Sequence, residues 1–197
     1  MKRKLLAALI LAVVLVAGAS AQLIVGVSGA LPLDSNKTSY QQIADQFKSG
    51  QGVFYGAFIE VVMHKVGIGF SANTMQMYDY YFDALMDIID ADLYASLHLF
   101  GGRALLDPFA ELGVGVIGSQ WDTGNDWVDA SYYWYAALGL GVNLGVVGVS
   151  AKFAYNYQMN KVVELADGSP APAFGTYLFG SKYLPPYRVT IAAKLIL

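Results

Sequence analysis

No cysteine occurs anywhere in the 197 residues. That excludes a disulfide framework, a thiolate metal centre and lipid anchoring through an N-terminal cysteine. Charge is scarce too: 14% of the residues are Asp, Glu, Lys or Arg against 56% apolar ones, where a soluble domain carries about 25% charged residues. There are only two histidines, His64 and His98, so few side chains are available for proton transfer near neutral pH. Proline is confined, four of the six lying within 167–186, a stretch that reads as a loop.

What is present begins with an export signal. Lys2, Arg3 and Lys4 precede an apolar run from Leu5 to Gly18, and Ala19, Ser20 and Ala21 form an A-x-A cleavage site. Residues 1–21 therefore read as a secretory signal peptide, with a mature domain over 22–197. The apolar run is short of the ~20 residues a spanning helix needs. Cleavage keeps all 15 acidic residues and nine of the 12 basic ones, for a net charge of −6. An acidic chain of this kind is not expected to bind nucleic acid.

Alternation of apolar and polar residues predicts strands near 22–31, 52–63, 66–76, 91–100, 108–118, 131–142, 146–158 and 187–197. The connections 63–65, 101–107 and 143–145 are short, whereas 32–51, 77–90, 119–130 and 159–186 are long. An even strand number with short turns at one end and long loops at the other predicts an all-β, eight-stranded antiparallel up-and-down transmembrane barrel, its short turns periplasmic and its long loops extracellular.

Side chains alternate across a strand, so each run divides into two faces. In the seventh run Val147, Val149, Ala151, Phe153, Tyr155 and Tyr157 oppose Gly148, Ser150, Lys152, Ala154, Asn156 and Gln158. No charge falls on the apolar face of any run; Glu60, Asp92, Glu111, Lys152, Arg188 and Lys194 all share the other face, as does His98. These seven residues are the predicted polar cluster of the lumen. A soluble barrel or sandwich would cover its polar face with Lys, Glu and Thr, but here that face is rich in glycine and serine, which suit a crowded eight-strand interior. Tyr132, Tyr133, Trp134, Tyr155, Tyr157 and Tyr187 gather near the long-loop ends, as interfacial girdles do.

Other patterns compete locally. Residues 132–151 are apolar enough for a spanning helix, but five glycines favour two strands about Asn143, Leu144 and Gly145. Gly113, Gly115 and Gly118 fit G-x-G-x-x-G, yet loop rather than helix follows, so they read as small inward positions with Gly118 ending the strand. Asp122, Asp126 and Asp129 form an oxygen-rich stretch that is a weak calcium candidate without EF-hand spacing. Ser39 and Asp79 are possible caps for two short amphipathic helices, the second carrying Phe82, Leu85, Met86 and Ile89. Both histidines fall toward the short-turn end, the wrong leaflet for a hydrolase acting on outer-leaflet lipid. Neither a catalytic set nor a cofactor is expected.

Taken together, the residues resemble the small eight-stranded bacterial outer-membrane barrels, such as the transmembrane domain of outer-membrane protein A and the OmpX, OmpW and Opa types. The final run, with Tyr187, Val189, Ile191, Ala193, Leu195 and Leu197 on one face, is similar to the C-terminal signal that barrel assembly machinery reads, although that family usually ends in Phe or Trp. The resemblance implies outer-membrane lipids and the assembly machinery as partners, and a scaffold that displays loops to an extracellular ligand. Its OmpW-like side implies an alternative, a conduit for small apolar molecules. Within the lumen, Glu60 or Glu111 is expected to pair with Lys194 or Lys152, since buried charges are costly unless paired.

Overall fold

A computed structural model of the chain describes residues 21–33, 52–79, 84–121, 127–158 and 186–197. It contains eight strands: β1 (Ala21–Leu33), β2 (Phe54–Met63), β3 (Val66–Asp79), β4 (Ala84–His98), β5 (Leu106–Trp121), β6 (Trp127–Leu144), β7 (Val147–Gln158) and β8 (Tyr187–Ile196). Each pairs antiparallel with its sequence neighbours, and β1 pairs with β8, so the sheet closes into a barrel without a free edge. The shortest strands have 10 residues and the longest has 18, against the roughly 9–11 tilted residues needed to cross a bilayer. Among the described residues there is no helix.

Four strands, β3 to β6, run at least three residues further at the long-connection end than their alternation suggests. The β3–β4 ladder continues through Met75↔Ile88 and Gln76↔Asp87 to Asp79↔Ala84, leaving only residues 80–83 between the strands. The expected helix after Asp79 is therefore replaced, from Ala84 onward, by strand. A short apolar run fits both periods, and here cross-strand hydrogen bonding decides, with Ile88 buried and its neighbour Ile89 exposed. Likewise β5 and β6 extend to Trp121 and from Trp127, so Gly118 lies within a strand, opposite Ile89 and Ala130. Two of the connections read as long are thus mostly tall hairpins. The expected helix at Ser39 lies outside the described residues. Residues 132–151 form most of β6, a tight turn with Gly145 at φ 71°, and the start of β7.

The two faces separate as alternation requires. Outward lie Val27, Ile59, Ile68, Phe70, Leu93, Leu112, Leu138, Val149, Phe153 and Ile191, all exposed. Of the strand charges whose side chains are described, only Asp87, near the loop-side end of β4, occupies an outward position. Outside at that end, Trp134 stacks on Tyr157 at 5.5 Å and Phe153 on Tyr187 at 5.5 Å. Tyr133 departs from its neighbours: it points inward and is fully buried, while Tyr132 and Trp134 remain outside.

Inside, glycine and aromatic residues interlock across the ladders. Gly69 faces Tyr94, Gly113 faces Tyr135, Gly115 faces Tyr133, Gly139 faces Phe109 and Gly26 faces Phe58. In every case the ring lies over its glycine, where a Cβ would collide with it. Residues 113 and 115 of the G-x-G-x-x-G stretch are thus seats for tyrosine rings. This spacing lets an eight-stranded interior hold five rings without expanding.

Candidate functional site

The lumen collects the chain's buried charges in three tiers. Nearest the long connections, Arg188 on β8 crosses to Asp90 on β4, diametrically opposite in the ring, with Nη1 to Oδ2 at 2.6 Å. Its guanidinium lies 4.9 Å from the Phe54 ring centroid and 6.0 Å from that of Tyr133. The Tyr133 hydroxyl donates to Asp90, and Asn73 donates to it at 3.4 Å. Strands β2, β3, β4, β6 and β8 each contribute one side chain to this brace.

Mid-depth, Lys152 donates to Glu111 at 2.6 Å and sits 5.2 Å and 5.6 Å from the ring centroids of Tyr94 and Tyr135. Asp92 accepts from Ser71 and, at 3.0 Å, from the Tyr135 hydroxyl. Toward the short turns, His98 bridges two carboxylates, with Nε2 3.1 Å from Glu60 and Nδ1 2.8 Å from Asp107. Carboxylates only accept, so a ring facing one on each side meets both by donating from both nitrogens. Lys194 lies 3.7 Å from the same Asp107 carboxylate.

All seven residues of the predicted cluster, Glu60, Asp92, His98, Glu111, Lys152, Arg188 and Lys194, line one interior cavity. The partners differ in part from expectation. Lys152 pairs with Glu111, but the carboxylate nearest Lys194 is Asp107, and Glu60 is engaged by Ser96 and His98. Asp90 and Asp107, both fully buried, complete the set although their positions read as loop and turn. Of the calcium candidates, Asp122 and Asp126 lie outside the described residues, and Asp129 falls within β6 opposite Ser119. Among the described residues no cluster has the makings of a metal site.

Because Lys194 shares Asp107 with His98, Lys194→Met should lower the unfolding midpoint, by less than loss of the directly bonded Arg188. Asp107→Asn should restore part of the loss and Glu60→Gln should not. A double-mutant cycle on heat-induced unfolding in detergent checks this.

Ser96, His98 and Asp107 stand in the order of a nucleophilic relay, with Ser96 Oγ 3.1 Å from His98 Nε2. The hydroxyl, however, donates to Glu60. The surroundings are also tight: the cavity has about 60 Å³ of free space, room for a handful of waters at about 10–15 Å³ each. Buried apolar side chains lie toward both ends of it. Phe54, Met75 and Ile88 are buried at the long-connection end, and Ile24, Val62 and Ile196 at the short-turn end.

Comparison with known proteins fits this architecture. The N-terminal β-barrel domain of Pseudomonas aeruginosa OprF superposes with a TM-score of 0.54 at 10% identity, covering 90% of this chain and 98% of that one. Neisserial surface protein A gives 0.52 at 9% identity, covering 90% and 97%, and the outer membrane protein OprG of Pseudomonas aeruginosa gives 0.45 at 12%, covering 90% and 93%. No family model matches the sequence, and no curated protein resembles it significantly. The chain has the closed eight-stranded fold of the small outer-membrane barrels.

Proposed function

We propose that this chain is a non-catalytic outer-membrane barrel that serves as a rigid scaffold, doing its work through the structures it raises at the long-connection end. The observation that carries this reading is the filled lumen: interlocked rings, bridged charges and buried apolar side chains toward both ends leave about 60 Å³ of free space within it. A buried ionic core is an unusual way to fill a protein, because desolvation of charges is costly. Here the outer surface must be apolar to face lipid, so the polar residues have only the interior, and pairing makes that tolerable. The tall β3–β4 and β5–β6 hairpins support display, since strand pairing carries them past the apolar belt as stiff projections.

The lipid surroundings follow from the exposed aliphatic belt, which water would solvate at roughly 25 cal/mol for each Å² of apolar surface. Membrane lipids and the barrel assembly machinery, acting on β8, are the partners this reading requires. The folded protein should extract only with detergent, and it should migrate differently on gels before and after heating. A peptide tag placed in the 159–185 connection should be detected on intact cells, and one at His64 and Lys65 only after permeabilisation. A stable monomer in detergent-free buffer would contradict membrane residence. Reversed tag accessibility would contradict the orientation.

A further inference from the structure

The connection between β4 and β5 behaves unlike the other short turns. Residues 99–105 do not simply reverse the chain; they fold inward across the end of the barrel. Gly102 is buried, and a Cβ placed on it would press against Gln22 Oε1 and Ile24 of β1 and approach Val62 of β2. In the ring β1 lies opposite β5, while β2 is separated from β4 by β3 alone. Gly101, at φ 83°, makes the sharp bend this path needs, and the bend is closed by a hydrogen bond from Ala104 N to Gly101 O at 3.0 Å.

One side chain fastens this segment to the wall. Asn143, near the end of β6, donates from Nδ2 to Gly102 O at 3.1 Å and to Ala104 O at 2.8 Å. Its own backbone N–H reaches Leu105 O at 2.9 Å. Beneath the segment lie the Ile24, Val62 and Ile196 cluster and, behind it, Lys194, His98 and Glu60, with Asp107 in contact with His98 and Lys194. Three buried acceptors in this region, Gln22 Oε1, Asn143 Oδ1 and Asp107 Oδ1, have no protein donor. Each of them can accept a hydrogen bond from water reaching it from the turn side, the side that this segment covers. The segment therefore has a definite fastening and lies over polar groups that water can solvate.

We infer that residues 99–105 are a lid latched by Asn143 that holds the Ile24, Val62 and Ile196 layer in place beneath it, and that release of the lid lets this layer part and admits water and small ions from the turn side to the Glu60–His98–Asp107–Lys194 cluster. The apolar layer of Phe54, Met75 and Ile88 keeps the opposite end shut, so the opened form is a blind charged vestibule rather than a channel. This inference rests on the closed-lumen reading above, and the test separates the two.

The chain has no cysteine, so a single engineered one is an unambiguous reporter. Ser96→Cys places a thiol beside Glu60 and His98 under the lid, and Ser71→Cys places one at mid-depth beside Asp92. Each is treated in detergent with a small charged methanethiosulfonate, with and without Asn143→Ala, and only the folded, heat-modifiable form is scored. Both thiols should react slowly in the parent. Loss of two hydrogen bonds should accelerate Ser96→Cys about tenfold or more and leave Ser71→Cys unchanged. Should Asn143→Ala not fold, insertion of two glycines after Arg103 loosens the lid without touching a strand and should give the same result.

Equal Ser96→Cys rates with and without the latch would overturn the lid. So would a parallel acceleration of both reporters, which signals loosening of the whole barrel. Rapid reaction of both thiols in the parent would instead overturn the closed lumen itself.

Discussion

Arg188→Met is expected to destabilise the barrel by roughly 3–5 kcal/mol, the usual cost of removing one partner from a buried ion pair. The Arg188 side chain is 8% exposed and that of Asp90 is 0% exposed, so solvent screening reduces the figure little. Without the guanidinium, Asp90 keeps the Tyr133 hydroxyl and the Asn73 amide, but neither neutralises its charge. Adding Asp90→Asn removes the stranded charge and should recover a large part of the loss. Unfolding midpoints in urea, read from the gel shift between folded and unfolded forms, measure both variants. A double variant no more stable than the single one would show that the pair is not the brace the geometry describes.

A second large effect is expected at Gly115. A Cβ there would collide with the ring and hydroxyl of Tyr133, and that ring cannot swing aside without giving up Asp90. Overpacking costs about 1–3 kcal/mol, and Gly115→Val should lie at or above the upper end of that range because a buried hydrogen bond is lost as well. Gly29→Ala is the control. At Gly29 the nearest atom to an added Cβ is Phe54 O at 3.9 Å, so the change should stay within about 0.5 kcal/mol. Equal effects at the two positions would mean that the ring-over-glycine seats do not govern the packing.

Much of this architecture is legible from period-two alternation alone. The parity that puts Val147, Phe153 and Tyr157 outside puts Lys152 inside, and the same rule places Glu60, Glu111 and Lys194 in the lumen. Asp90 and Asp107 were missed because a charged residue beside other acidic or turn-forming residues reads as solvated loop. The available signal was again parity: Asp90 continues the face of Asp92, Tyr94, Ser96 and His98, and Asp107 that of Phe109 and Glu111. It would equally have separated Tyr133 from Tyr132 and Trp134. The partnerships were beyond the sequence. Arg188 and Asp90 are 98 positions apart, and which inward residues meet depends on the stagger of the closed sheet rather than on any local pattern. The inward fold of residues 99–105 was hidden for a similar reason, since its contacts with Gln22, Ile24 and Asn143 are all long-range.

The height of the hairpins has a physical basis that composition obscured. Met75 and Ile88 are inward apolar residues beyond Asn73 and Asp90, Ile117 lies opposite Asp90, and burying them requires β3, β4 and β5 to stay paired at that level. The residues that close the lumen thus also hold the projecting sheet in register, linking the seal to the display surface.

The central claim is that the lumen is shut, and its most direct test is electrical. Purified protein that shows the heat-dependent gel shift should be inserted into planar bilayers and held at a steady potential. The closed barrel should give no sustained single-channel current above the bare membrane, in the parent and in the Asn143→Ala variant alike, because the Phe54, Met75 and Ile88 layer remains in place. Steady, large, reproducible conductance steps from the parent protein would contradict a sealed scaffold and favour a conduit.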